Sequence, residues 1–385
     1  MAEICRRKFY PDSSMLFLIL LVIFTLYLFF RFRSVFPGVR GTFFAAAILV
    51  VFFGGFYLRE HFAGMLLEAI FTVWFCEAML LFLAWDVFRL IRRLAVRKPL
   101  DAKIRLCGNR IVFGLGILLS AIFFAFGVPV NNRYRTKELV VEIPKISEPF
   151  TAVFFSDLHI DPLFHRQKLE RLAAEMDSIG PDFVLFGGDL ADIKDSALRA
   201  EGYDSLFRRV VGKARIGAFG INGNHEGFME RSGSNPEQWM RENGMVVLDD
   251  STACLPMVCF SGRTDFAVAM GRGVERLPLE WLLPKDTAKP WILMDHQPKG
   301  IEEGYVGRLP DLALSGHTHD GQFFPATALI GFFWRLSSGF GTLDGVPWLV
   351  SSGVDSWGPP VRIGSQTEIW VIRFEPALQE LERKI

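Results

Sequence analysis

Residues Ser315–Gln322 read Ser-Gly-His-Thr-His-Asp-Gly-Gln and follow directly on the apolar run Leu312-Ala313-Leu314. The chain has seven histidines in 385 residues, and two of them stand here, two residues apart between glycines. An apolar run that stops at a polar, glycine-framed cluster reads as a buried strand delivering side chains at its carboxyl end. In an extended segment residues two apart point the same way, so His317 and His319 are expected to aim at one place. Gly316 and Gly321 let the backbone turn sharply around them.

The same pattern recurs upstream. Thr151–Phe155 runs into Ser-Asp-Leu-His, Phe183–Phe186 into Gly-Gly-Asp, Ile216–Ile221 into Asn-Gly-Asn-His-Glu, and Trp291–Met294 into Asp-His-Gln. Helical stretches, Gln167–Ser178 and Ala197–Val211, lie between the earlier runs. Strand, loop and helix in alternation predict an α/β layered domain whose function gathers at the carboxyl ends of the strands. The later segments Leu349–Ser352 and Glu368–Phe374 read as further strands around a turn-rich Ser-Trp-Gly-Pro-Pro stretch. About 235 residues suffice for one domain with a good core.

Collected, the polar ends are Asp157, His159, Asp189, Asn224, His225, His296, His317 and His319, which take up five of the seven histidines. Two carboxylates, imidazoles and an amide suit Mn, Fe, Zn, Co or Ni better than Ca. Each residue alone has a plainer reading. Asp157 and Asp189 could cap helices, His296 could be a turn residue, and His317 and His319 could be solvated loop residues. Together they do not, because convergent polar groups without partners are costly to bury. Asn224 and His225 are adjacent and should diverge, one toward a metal and the other toward substrate.

Asp-x-His, Gly-Asp, Gly-Asn-His-Glu, His and Gly-His-Thr-His, in this order, resemble the calcineurin-like metallophosphoesterases over about residues 148–375. The late Ser-Ser-Gly-Val-Asp-Ser-Trp-Gly-Pro-Pro-Val-Arg-Ile-Gly and the GHTHxGQ pattern resemble that family's membrane-attached bacterial phosphohydrolase branch. The resemblance implies a β-sandwich flanked by helices and two divalent transition metals, Mn foremost. It assigns one site to Asp157, His159, Asp189 and His319 and the other to Asp189, Asn224, His296 and His317, with Asp189 bridging. A metal-bridging hydroxide would attack the phosphoester, and His225 would stabilise the transition state or protonate the leaving oxygen. Two positions depart from the usual pattern: Glu226 stands where Asp is common, and Asp320 where Gly is common. Glu226 is expected at the edge of the substrate site or orienting His225 from behind. Asp320 tunes substrate charge or caps a turn.

Half of the chain is hydrophobic and 38 residues are phenylalanine, with the excess lying before about residue 130. Four stretches approach the roughly 20 residues that a helix needs to cross a bilayer: 15–30, 42–58, 65–83 and 111–130. Residues 1–130 are therefore expected as a four-helix membrane domain, 131–148 as a polar connector and 149–385 as the catalytic domain. The basic start Arg6-Arg7-Lys8 resembles a secretion signal, but no small-x-small cleavage site follows and three more spans do. The loops after the first and third spans carry eleven Lys and Arg against eight on the other side. By the positive-inside rule the loops are cytoplasmic and the catalytic domain lies outside the inner or plasma membrane. Gly54-Gly55 suggests a close helix contact or a bend. Glu77, deep in the third stretch, reads equally as an ion path or as a hydrogen-bonded acid.

Formal net charge is zero, so charge gives no reason to expect a nucleic-acid partner. The five cysteines form no Cys-x-x-Cys pair, which argues against a zinc ribbon. Cys254 and Cys259 could bridge in an oxidising compartment, although two small buried residues is the plainer reading. Arg263 could grip a phosphate, or form a surface ion pair. Leu329–Leu336, with Phe332, Phe333 and Trp334, would either meet acyl chains or pack as core. The function expected is a membrane-anchored phosphoesterase cleaving a phosphodiester or pyrophosphate, lipid-linked if the membrane anchor reflects its substrate. The alternatives are a membrane sensor or transporter with a phosphoesterase-like binding module, and a protein phosphatase acting on monoesters.

Overall fold

The computed structural model describes residues 13–377, so Cys5 and the basic start Arg6–Lys8 lie outside the described residues. The chain divides into two compact units, Met1–Ile122 and Phe123–Ile385.

The first unit is helical. It contains α1 (Ser13–Arg33), α2 (Val39–Tyr57), α3 (Phe62–Val96) and most of α4 (Ala102–Asn131). Of these, α2, α3 and α4 are long and apolar enough to cross a membrane. The first expected stretch falls in α1, which is not among those three. Helices α3 and α4 also outrun the expected spans, because the adjoining segments 84–96 and 102–110, rich in Arg, Leu and Ala, are good helix formers and continue them. An aromatic cluster fills the unit: Phe32 stacks on Trp74 at 5.0 Å, and Phe75, Phe82 and Phe113 meet it edge-on or tilted. Gly55 is the contact glycine of its pair. A Cβ there would lie 3.0 Å from that of Leu67, whereas Gly54 faces open space. Glu77 is buried in α3, and its Oε1 has no hydrogen-bond partner among the described residues.

The second unit is built on two six-stranded sheets. Its strands are β1 (Arg135–Ile143), β2 (Phe150–Phe155), β3 (Phe183–Phe186), β4 (Gly217–Gly220), β5 (Val246–Val247), β6 (Ser251–Cys254), β7 (Cys259–Gly262), β8 (Trp291–Met294), β9 (Leu312–Ser315), β10 (Gly339–Leu343), β11 (Val346–Val350) and β12 (Glu368–Pro376). One sheet runs β1-β12-β2-β3-β4-β5 and the other β10-β11-β9-β8-β7-β6. The helices are α5 (Gln167–Ile179), α6 (Asp195–Ala200), α7 (Tyr203–Val211), α8 (Asn224–Arg231), α9 (Pro236–Glu242), α10 (Phe266–Arg272) and α11 (Ala326–Leu329).

Strand alternation explains the layering. Ala152 and Phe154 of β2 meet Phe260, Ile292, Met294, Leu312 and Leu314 of the other sheet in one buried cluster. Val153 and Phe155, pointing the other way, pack against Leu169, Leu172 and Met176 of α5 and Phe207 of α7. Trp291, Leu293, Ala313 and Trp348 cover the outer face of the second sheet. The result is a sandwich with helices packed on the first sheet.

Three expectations differ from this structure. Residues 135–143, expected within a polar connector, form β1, which pairs in parallel along the whole of β12. Its outward positions carry Glu138 and Glu142, which hid the inward Val141 and Ile143. The helix expected over Ala197–Val211 is two, because Gly202 adopts a left-handed conformation (φ 73°) between α6 and α7. Cys254 and Cys259 are disulfide-bonded rather than merely buried. They face each other across the antiparallel β6–β7 pair, with Cα atoms 4.1 Å apart.

Candidate metal centre

Strands β2, β3 and β4 run parallel, as do β8 and β9, so their carboxyl ends come to one edge of the sandwich. Each of the expected ligands sits in the first few residues after one of these strands. Asp157 and His159 follow β2, Asp189 follows β3, Asn224 and His225 follow β4, His296 follows β8, and His317 and His319 follow β9.

The structure brings all eight together. His159 Nε2 lies 3.1 Å from His319 Nε2, 3.9 Å from Asp157 Oδ1 and 3.6 Å from Asp189 Oδ2. His319 Nε2 is 3.6 Å from Asp157 Oδ1. On the other side of Asp189, its Oδ2 lies 3.1 Å from His296 Nε2. Asn224 Oδ1 in turn lies 3.1 Å from His296 Nε2 and 2.7 Å from His317 Nδ1. Asp189 Oδ2 is thus the atom common to both groups. Asp157, His159, Asp189 and His296 are essentially inaccessible to solvent.

The extended backbone expected at the paired ligands is not what aims them. Asp157, His159, Asp189, His317 and His319 all have positive φ, from 42° to 73°. Non-glycine residues adopt this conformation only where surrounding structure enforces it, and such residues gather at functional sites. The enforcement is visible. His317 N–H donates to Asp157 Oδ1 at 3.0 Å, and His225 N–H to Asp189 Oδ1 at 2.8 Å. Gly316 is required by close approach: a Cβ there would fall 2.3 Å from Asp157 Oδ2.

The donor set fits divalent cations. Four ligands about 2.1 Å from one ion lie roughly 3–3.5 Å apart, close to the spacings found. With Nδ1 protonated, His296 donates to the Gly187 carbonyl at 2.8 Å and His319 to the Asp355 carbonyl at 3.2 Å, leaving their Nε2 lone pairs inward. His159 Nδ1 likewise faces Asp192 at 3.3 Å. His159 Nε2 and His319 Nε2, 3.1 Å apart, are bridged either by a proton or by a cation. The surrounding carboxylates favour positive charge there. Burial opposes charge on His159, yet Asp192, Asp189 and Asp157 outweigh it and push it up to about 9. Burial likewise opposes charge on His296, but Asp189 holds its pKa well above the usual imidazole range. Burial holds His319 neutral, helped by the nearby His159 and Arg362.

Several supporting residues were not singled out in the sequence. Asp192, three residues past Asp189, hydrogen-bonds both His225 and His159. Burial raises the pKa of its carboxyl, but the two imidazoles more than compensate and hold it well below the carboxylate range. The lone signal was a second acid three residues beyond the Gly-Asp pair. Arg362, fully buried, donates to the carbonyls of His319 (2.7 Å), Ser352 (2.8 Å) and Asp355 (2.5 Å). It belongs to the late Pro-Pro-Val-Arg stretch, but no local pattern says which strand end it supports.

The two substrate-side expectations are placed elsewhere. Glu226 is fully buried and accepts from the backbone N–H groups of Asp189 (3.1 Å), Leu190 (2.6 Å) and Gly223 (2.5 Å). Its carboxylate ties the β3 and β4 loops together and does not face the cleft. Arg263 pairs with Glu302 at 2.5 Å and approaches Asp295 at 3.7 Å, in a separate pocket with Arg276 and Lys299. Asp320 accepts from Ser337 Oγ at 3.0 Å.

Above the ligands opens a cleft of about 350 Å³, lined by Asp189, Asn224, His225, His317 and His319 and by Phe228, Ile330, Trp334 and Trp357. The rings of Phe228 and Trp357 lie 5.2 and 5.8 Å from that of His225, and Trp334 lies 5.1 Å from His317. Phe332 and Phe333, next to Trp334, are 84% and 78% exposed, so this segment is not core.

Such a sandwich, with histidines and carboxylates converging at its strand ends, presents a candidate metal centre. Residues 150–321, within the second unit, match the family of calcineurin-like phosphoesterases. An uncharacterised metallophosphoesterase of Campylobacter jejuni is 28% identical over 347 residues, 86% of this chain and 87% of its own length. A Danio rerio transmembrane protein with a metallophosphoesterase domain is 31% identical over 291 residues, 68% of this chain and 62% of its own. An uncharacterised metallophosphoesterase of Helicobacter pylori is 28% identical over 257 residues, covering 64% of this chain and 65% of its own length. The chain is a membrane protein with a metal-dependent phosphoesterase domain.

Proposed function

We propose that the domain is a two-metal phosphodiesterase or pyrophosphatase acting on a membrane-embedded, lipid-linked substrate, and that it belongs to the membrane-attached GHTHxGQ branch. The observation that carries the reading is the position of Asp189 Oδ2 between two complete donor groups. Asp157, His159, Asp189 and His319 would hold one divalent cation, and Asp189, Asn224, His296 and His317 the other, with Mn²⁺ the leading candidate. Bound there, two such ions supply Lewis-acid polarisation of a phosphoryl oxygen and acidify a water. His225, with Nδ1 held by Asp192, turns Nε2 to the cleft and donates a proton from it to the leaving oxygen. Asp189 fixes His225 through its backbone N–H, so the acid and the metal ligands share one support.

The lipid-linked substrate is supported by the aromatic rim. Phe332 and Phe333 stand exposed next to Trp334 of the cleft wall, and Trp357 is exposed in the same wall, an arrangement suited to acyl chains flanking a headgroup. We also propose four spans within residues 1–130, a passage through 131–148 and a catalytic domain over 149–385 on the extracytoplasmic side. Two independent signs support the outside placement: the Lys and Arg excess on the two loops opposite, and the Cys254–Cys259 disulfide, a bond that persists in oxidising compartments.

The test is hydrolysis of bis(p-nitrophenyl) phosphate by the purified full chain with Mn²⁺, beside Asp189→Asn. Turnover that requires metal and is abolished in the variant is expected. Turnover of a monoester phosphopeptide with none of the diester would overturn the diesterase reading.

A further inference from the structure

The first unit carries a second polar concavity, far in character from the acidic metal cluster. It has a volume of about 550 Å³ and is lined by Phe30, Arg31, Arg33 and Phe36 at the end of α1 and the turn after it, by Arg89 of α3 and by Arg105 of α4. Four guanidiniums therefore share one pocket. The acid that meets any of them is Asp86, 2.6 Å from Arg31 and 3.1 Å from Arg89. Among the described residues, Arg33 and Arg105 make no ion pair, and the buried Nε of Arg31 has no acceptor. Four like charges against one carboxylate repel one another unless a further anion joins them.

The place of the pocket says what kind of anion. Helix α3 has 35 residues, about 52 Å at 1.5 Å per residue, whereas the hydrocarbon layer is about 30 Å thick. Its arginine-bearing end therefore extends past the apolar layer. Phe30 and Phe36 are exposed beside the arginines, so the charge begins where apolar surface ends. That juxtaposition is the environment of a phospholipid headgroup.

We propose that this pocket binds the phosphate of an anionic glycerophospholipid from the surrounding leaflet, with the glycerol and upper acyl carbons against Phe30 and Phe36. Arg31 and Arg89, already held by Asp86, form the floor, and Arg33 and Arg105 close over the phosphate. The site shares no residue with the metal cluster, so it stands or falls separately from the catalytic reading.

The experiment is native mass spectrometry of the detergent-solubilised full chain, titrated with dioleoyl phosphatidylglycerol and with dioleoyl phosphatidylcholine. Phosphatidylglycerol is expected to bind at least about tenfold more tightly, and two arginines near a lipid phosphate account for on the order of thirtyfold. Arg33→Gln with Arg105→Gln, both exposed positions, should bring the preference to within about threefold while leaving thermal unfolding unchanged. Arg92→Gln with Arg97→Gln, outside the pocket, should retain it. Equal binding of the two lipids, or equal loss in both double variants, would overturn the site in favour of diffuse surface charge. Displacement of phosphatidylglycerol by millimolar inorganic phosphate would overturn the lipid assignment and leave a free-phosphate site.

Discussion

Replacing Glu226 should uncouple the metal ligands without touching one of them. Its carboxylate is fully buried and accepts three backbone N–H groups, from Asp189, Leu190 and Gly223. Glu226→Ala leaves all three without acceptors. At about 1–3 kcal/mol for each buried, unsatisfied donor, the loss is on the order of 3–9 kcal/mol. That is a large part of the 5–15 kcal/mol typical of a whole domain. Glu226→Gln is the sharper test. Its amide oxygen keeps two of the bonds and its NH₂ group must confront the third donor, for a loss of about 1–3 kcal/mol. The chain should therefore still fold, but with the Asp189 loop displaced. Groups that orient ligands from behind typically change metal affinity by about 10–100-fold, and the same is expected here. Thermal unfolding of the metal-free chain and calorimetric titration with Mn²⁺ measure the two effects. A folded Glu226→Gln protein that binds Mn²⁺ within about twofold of the parent would refute the claim that this carboxylate positions Asp189.

Three further outcomes follow from particular contacts. Asp192→Asn removes the main attraction that raises the pKa of His225 against burial, so His225 loses its proton at lower pH. If His225 is the acid, the basic limb of the kcat–pH profile moves down, and kcat falls by roughly 10- to 100-fold. An unmoved limb would remove His225 from that role. Phe154→Ala, between the two sheets and wholly buried, should destabilise the second unit by about 3–5 kcal/mol in thermal unfolding. Cys254→Ser with Cys259→Ser opens a very short loop and should cost on the order of 2 kcal/mol. Thiol alkylation of cells before lysis should find the parent pair blocked from labelling, whereas a fully labelled pair would place the domain in the reducing cytoplasm.

The sequence alone determined the strand ends and their cargo. Apolar runs such as Phe183–Phe186 and Trp291–Met294 coincide with strands to the residue, because a four-residue run flanked by glycine or acid has few other folds available. The eight polar residues at those ends were legible for the same reason: charged and imidazole groups directly after buried strands must find partners. What the sequence left open was whatever depends on residues distant in the chain. Asp192 and Arg362 matter through neighbours 33 and 43 positions away, His225 and His319, and no local pattern encodes that distance. Glu226 lies among the ligands in sequence, yet the fold turns its carboxylate to backbone N–H groups rather than to substrate. The expected extended aim of His317 and His319 gave way to left-handed backbone, since Asp157 captures the His317 N–H and fixes the loop from outside. Strand β1 and the disulfide were decided likewise by pairing across the sheets, where register brings Val141 to Phe374 and Cys254 to Cys259. Local pattern sets which segments are buried and which side chains leave them. Which of those side chains meet is fixed when the two sheets close on one another, because contact follows packing and not order along the chain.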